Sequence, residues 1–199
     1  LLIEGAKLIE GTAPLVVGIG GTTVSGSSTE RALKIALSGA EAAGMRTRLF
    51  GGEILARLPL YTPKMQDRTV EEHDFVAAIR EASGVIFASP GYHGSVSGLV
   101  KNAIDLIEET AQDARVYLDD LPVGVVVTAY GWAATGSTIA AMRSIVHALR
   151  GWPTPFAAAI NSSTCRFDEH GGCSDAAVVS QLTRVGEQVA RGIRLRLSA

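Results

Sequence analysis

The chain has 199 residues, 47% of them hydrophobic and 19% charged, enough to bury one sizeable core, since single domains run to roughly 100–200 residues. Its 18 basic and 20 acidic side chains leave a formal charge of −2, which gives no field for nucleic acid or an acidic membrane surface and favours a small-molecule partner. No apolar run approaches the ~18 residues of a membrane span, the opening "LLIEGAKLIEGTAP" lacks a signal-peptide pattern, and the two cysteines have no CxxC spacing, so a reducing, cytoplasmic setting is expected.

Residues 1–13 begin without methionine and read as an arm or leader remnant, which leaves 14–199 as a single domain. "PLVVGIG" (14–20) has the continuous Val/Ile character of a strand buried on both faces. "ERALKIALSGAEAAG" (30–44) spaces Leu33, Leu37 and Ala40 at helical intervals and stops on Gly44. A second strand is expected over 45–50. After the proline-broken loop "LPLYTPKMQD", a helix is expected over 69–84, with a Thr cap and acids in its first turn. "VIFASP" (85–90) is a third strand, followed by a loop and a helix over 97–109 that Ser97 can cap. The pattern repeats as strand 122–130 and helix 136–151, then strand 154–160 and helix 175–197.

Five strands alternating with five helices imply an α/β three-layer sandwich, a five-stranded parallel sheet with helices on both faces, because parallel neighbours need a crossover and the crossover is normally helical. With this number of strands the flavodoxin-like order is expected. Ligands of such sheets bind beyond the C-terminal strand ends where the strand order reverses. Those ends are the loops 20–28, 90–96 and 129–136.

The first loop, "GGTTVSGSST", fails two phosphate motifs. Gly21 and Gly26 have Walker A spacing, but Ser27 stands where lysine belongs. Gly18 and Gly20 begin a dinucleotide fingerprint, but Thr23 takes the third glycine's place, and the second strand ends on Phe50 and Gly51 without a ribose-binding acid. What remains is a run of hydroxyls, Thr22, Thr23, Ser25, Ser27, Ser28 and Thr29, leading into a helix N-terminus whose free N–H groups and dipole favour an anion. A single terminal phosphate, as in FMN, suits it; the alternative is that Ser28 or Thr29 only caps the helix.

In the second loop, "SPGYHGSVSG", Pro90 and Gly91 stiffen and bend the chain, Tyr92 and His93 offer flat faces and polar edges, Gly94 allows close backbone approach, and Ser95 follows. This chemistry suits an isoalloxazine ring. Here the chain resembles the NADPH-dependent FMN reductase family, whose members carry a Pro-x-Tyr-x-Gly-Ser-x-x-Gly-x-x-Lys-Asn-Ala segment and a Gly-Ser/Thr-rich phosphate loop after the first strand. The resemblance covers roughly residues 14–160. Many members place an arginine near the middle of the phosphate loop, and Val24 stands there in this chain.

The resemblance implies an NAD(P)H-dependent FMN oxidoreductase. NAD(P)H would deliver a hydride to FMN, and free flavin, a quinone or another acceptor would take the electrons, with the cofactor carrying the chemistry and no acid/base pair required. The rival reading is a non-enzymatic flavodoxin-like electron carrier, which the near balance of acids and bases disfavours, because carriers need an acidic docking face. In the third loop, Tyr130, Gly131 and Trp132 would lie against the flavin's other edge, or Trp132 packs at a subunit contact. A homodimer or homotetramer is expected, because related reductases complete the site across subunits.

Other motifs carry less. "GSVSG" (94–98) is out of register for a nucleophile elbow. Cys165, His170 and Cys173 lie within nine residues, yet lack the close pairs of a structural zinc site, so no metal is expected and a mobile surface loop is the reading. His93 donates either to the flavin or within its own loop. His147 reads as a structural or interface residue, and Lys101 with Asp105 as an ordinary i,i+4 pair.

Overall fold

The computed structural model describes residues 13–168 and 172–198. The expected arm therefore lies almost wholly outside the described residues, as do Glu169 and His170 of the cysteine loop. The parallel strands are β1 (Leu15–Gly20), β2 (Arg46–Phe50), β3 (Gly84–Tyr92), β5 (Pro122–Ala129) and β6 (Trp152–Asn161). They are ordered β2-β1-β3-β5-β6, and a two-residue strand β4 (Ser95–Val96) pairs antiparallel with the end of β3. The chain moves one way from β1 to β2 and the other way from β3 onward, so the order reverses between β1 and β3, the flavodoxin-like arrangement.

Successive strand residues point to opposite faces, and both faces are dry. Val17, Ile19, Val85, Phe87, Val123 and Val125 pack against helices α3 (Val70–Glu81), α4 (Gly98–Asp105) and α5 (Trp132–Ala148). Val16, Ile86, Ala88, Val126, Ala158 and Ile160 pack against α1 (Ser28–Ala42) and α6 (Ala176–Leu197). Strands covered on two sides must be apolar throughout, which is why β1 and β5 carry no alternation. Leu33 and Leu37, one helical turn apart, are buried on the α1 face, each worth about 1.5–3 kcal/mol.

The helix ends follow the side chains. Thr69 and Glu72 form a capping box at α3, Ser97 accepts from the Val100 N–H at α4, and Asp175 accepts from the Ala177 N–H at α6. Helices α1 and α6 meet at small residues: a methyl added at Gly186 would lie 2.0 Å from the Ala36 carbonyl oxygen, and one at Gly39 would lie 2.5 Å from that of Thr183. A short helix α2 (Gly52–Leu55) stands between β2 and the proline-broken loop, in a stretch for which no element was expected, and α4 gives way to a 3-10 turn over Leu106–Thr110 instead of running on to 109.

Candidate functional site

The loop after β1 runs from Gly21 to Ser27 and feeds α1, a helix of 15 residues. The six hydroxyls of this loop and of the first residues of α1 divide by role. Ser27, not Ser28 or Thr29, is the cap: its Oγ accepts from the Glu30 N–H at 3.3 Å. Thr22 Oγ1 accepts from the Val24 N–H at 3.1 Å and shapes the turn. Thr29 is buried, and its hydroxyl meets that of Thr128, near the end of β5, at 2.6 Å, tying the helix to the sheet. Thr23 and Ser25 are exposed and Ser28 is half-buried, so these three are the hydroxyls open to a ligand beside the N-terminal N–H groups of α1. Val24 stands at the loop tip, 67% exposed.

Two charged residues at the start of α1 organise the loop. Glu30 is buried; its Oε2 accepts from the Gly52 N–H at 3.2 Å and its Oε1 pairs with Lys34 Nζ at 2.9 Å. Gly52 lies so close below that a methyl there would sit 1.7 Å from the Thr22 carbonyl oxygen. A shallow cleft on the β2 side is lined by Ser25, Glu30, Gly51 and Glu53. Of its two carboxylates, Glu30 is neutralised by Lys34, and Glu53 lies beside Arg57 at 3.3 Å. Arg31 Nη1 donates to the Phe167 carbonyl at 2.9 Å and also to that of Asp168. Its Nη2 faces Gly26 of the loop, 3.2 Å from where a Cβ would be.

The second segment is a hairpin, not an open loop. Strand β3 continues through the buried Pro90 and half-buried Gly91 to Tyr92, and the chain reverses at His93 (φ 51°) and Gly94 (φ 83°) into Ser95 and Val96. Two consecutive positive φ values make a two-residue turn whose twist matches the strands it joins. Gly91 lets the strand end pack on α5: a Cβ there would lie 2.9 Å from Thr138 Oγ1 and 3.0 Å from the Ala129 methyl. Thr138 Oγ1 itself is buried without a hydrogen-bond partner among the described residues. Ser89 Oγ accepts from the Ser97 N–H at 3.0 Å, bracing the hairpin from behind. Tyr92, 56% exposed, stands outward with His93 and Ser95.

The third segment is shorter than expected. Helix α5 begins at Trp132 rather than at 136, so only Tyr130 and Gly131 (φ 120°) remain irregular after β5. The N-cap residue of this helix, Gly131, has no side chain to cap it. Tyr130 and Trp132 are 86% and 64% exposed.

The three segments leave the same end of neighbouring strands, with Gly20 beside Ala88 and Pro90 beside Thr128 in the register. The donor set fits FMN: hydroxyls and helix N–H groups at the β1 loop suit a phosphate, and exposed aromatic side chains at the hairpin and the α5 start suit a flat ring. A profile described as NADPH-dependent FMN reductase matches residues 14–164. The chain belongs to the NADPH-dependent FMN reductase family.

Individual relatives in this family are more distant. An FMN-dependent NADPH-azoreductase of Staphylococcus haemolyticus (strain JCSC1435) is 29% identical over 102 residues, covering 51% of this chain and 50% of the relative. The NADH-dependent flavin reductase subunit 2 of Lactobacillus johnsonii is 34% identical over 93 residues, covering 46% and 50%. The matches thus span about half the length of these two relatives. Among solved structures, the flavoenzyme NAD(P)H:(acceptor) oxidoreductase FerB from Paracoccus denitrificans superimposes with a TM-score of 0.74 at 19% identity, over 92% of this chain and 98% of that one. An oxidoreductase from Corynebacterium diphtheriae gives 0.70 at 17% identity, over the same two shares. At those identities the likeness is one of fold.

Within this FMN reductase family member, sequence reasoning passed over Glu30, Arg31, Gly52 and Thr128. Only Glu30 carried a signal, as an acid in the first turn of a helix. The others gain their place through contacts with segments distant in sequence.

Proposed function

We propose that the chain is an NAD(P)H-dependent FMN oxidoreductase. The observation that carries this reading is the placing of a hydroxyl-rich helix N-terminus and an aromatic hairpin on either side of the point where the strand order reverses. When bound, FMN supplies the redox chemistry, accepting a hydride from reduced nicotinamide and passing electrons to an acceptor. The protein's part is to bind and orient. Thr23, Ser25, Ser28 and the first N–H groups of α1 hold the phosphate; Thr22, Ser27 and Thr29 keep that loop in shape. The Pro90–Ser95 hairpin seats the ring on one side, and Tyr130, Gly131 and Trp132 close it on the other. His93 donates to the ring's polar edge and excludes water there.

The relatives' names point to a free flavin or an azo compound as acceptor and to either NADPH or NADH as donor. Reduced nicotinamide and two unbonded thiols fit a cytoplasmic setting. Among the described residues, no helix is long and apolar enough to cross a membrane. Exposed Tyr130 and Trp132, continuous with a groove where the Arg184 guanidinium lies 5.2 Å from the Phe156 ring centre, suit a second copy closing the site in a homodimer or homotetramer.

The test mixes purified protein with FMN and NADPH and follows the nicotinamide absorbance. Protein-dependent oxidation together with quenching of FMN fluorescence is expected. Quenching without oxidation would leave a flavin carrier instead.

A further inference from the structure

Cys165 and Cys173 have no part in the flavin reading, yet the fold brings them together. Cys165 is buried just after β6, Cys173 is half-buried, and their Sγ atoms are 3.0 Å apart. That is closer than the van der Waals contact of two sulfurs and about 1 Å beyond a disulfide bond. The backbone around them is paired rather than loose. Phe167 and Cys173 form an antiparallel bridge, the Ser174 N–H donates to the Arg166 carbonyl at 3.0 Å, and the Asp168 N–H donates to the Gly172 carbonyl at 2.9 Å. This corrects the expectation of a mobile surface loop for its described part: Cys165 belongs to the core under α1 and α6. The same segment presents the Phe167 and Asp168 carbonyls that hold Arg31, whose other nitrogens face Gly26 in the anion loop.

We infer that Cys165 and Cys173 are a reversible dithiol/disulfide site, and that closing the bond fixes the segment that aims Arg31 at the anion loop and so tightens phosphate binding there. The second half of this inference rests on the flavin reading; the first does not.

A peroxide suffices as oxidant. The more exposed Cys173 attacks as thiolate; the O–O bond breaks, one oxygen stays on sulfur as a sulfenic acid, and the other leaves as water after taking a proton. Burial holds the Cys165 thiol in its protonated form, with its pKa pushed up to about 12 by desolvation and by the neighbouring Cys173, so Cys165 resolves rather than attacks. Its sulfur displaces the sulfenic hydroxyl, which leaves as a second water with the thiol proton, and the S–S bond forms. The peroxide gains the two electrons that the two sulfurs lose. Two equivalents of a small thiol reverse the step by exchange and end as their own disulfide.

The experiment uses the full chain. Protein treated with hydrogen peroxide is alkylated and digested with trypsin without reduction. Arg166 lies between the two cysteines, so trypsin places them on separate peptides unless a bond joins them. The expected result is a linked peptide pair that dithiothreitol separates and that Cys173→Ser lacks. Recovery of both cysteines alkylated, or of Cys173 as a sulfinic acid beside a free Cys165, overturns the disulfide. FMN is then titrated by fluorescence against both redox forms. Oxidised wild type should bind roughly fivefold tighter or more, and Arg31→Gln should bind equally in both forms. Equal affinity of the two wild-type forms overturns the coupling through Arg31. Failure of both forms to bind FMN refutes the flavin reading, while the peptide map still decides the disulfide.

Discussion

Replacing Gly52 by alanine tests whether the loop after β1 is the phosphate seat, without touching a residue that would contact the ligand. The added methyl would stand 1.7 Å from the Thr22 carbonyl oxygen and 2.9 Å from the Thr22 nitrogen. Both neighbours are backbone, so no rotamer change relieves the clash, and loop and α2 must part by roughly 1.5 Å, an overpacking cost of about 1–3 kcal/mol. The same movement stretches the bond from the Gly52 N–H to Glu30, now 3.2 Å. A loop displaced that far loses at least one hydrogen bond to a charged phosphate, about 1.5–3 kcal/mol, or roughly 10- to 100-fold in affinity. The assay pairs a fluorescence titration of FMN with a urea melt. Gly98→Ala is the control, since nothing lies within 4 Å of the added methyl and its helical position accepts alanine. Gly52→Ala that binds FMN within twofold of wild type and melts at the same urea concentration would refute the reasoning.

Val24→Arg, at the exposed loop tip, should tighten FMN binding at low salt and make it more salt-sensitive, read by titration across ionic strength. Thr29→Val strands the buried Thr128 hydroxyl and should cost about 1–3 kcal/mol in a urea melt, with the Thr29→Val/Thr128→Val double variant recovering much of it. Gly94→Val forces a branched side chain to φ 83° and should abolish FMN binding with native circular dichroism, whereas His93→Ala should retain FMN and alter its spectrum or the reduction rate. Under reductant the Cys165 share of the stability should be constant below about 9 and be lost as pH rises toward 12: the unfolded chain releases the Cys165 proton at the ordinary thiol pKa of 9.0 while the folded chain holds it to about 12, so alkali favours unfolding; Cys165→Ala should make the alkaline slope shallower in a pH series of urea melts. A monomeric mass by light scattering at micromolar concentration, with full activity, would contradict the proposed oligomer.

The sheet was legible because its signals are local. Runs such as 14–20 and 122–130 are apolar without alternation, and caps such as Thr69 and Ser97 precede periodic segments. The loop after β1 and the Pro90–Ser95 segment stood out by composition as candidates. Their shapes were not legible. His93 carries no local mark of a positive φ, so the hairpin read as a loop, and the start of α5 at Trp132 was missed because Gly131 offers no side-chain cap. Glu30 with Gly52, Thr29 with Thr128, and Arg31 with Phe167 join segments 22 to 136 positions apart; no window along the chain contains such pairs.

The packing of α1 on α6 also bears on the order in which the molecule can be made. The helix that follows the loop after β1 is covered on part of its buried face by residues 176–197, with Gly39 and Gly186 allowing backbone to meet backbone. During synthesis the first loop therefore emerges about 150 residues before its floor, at roughly 5–20 residues per second. Until α6 docks, α1 rests on the sheet alone, through Val16, Ile86 and Val126 and the Thr29–Thr128 bond, with its second wall missing. A ribosome-bound fragment ending at residue 164, where the family match stops, should therefore bind FMN more weakly than the full chain.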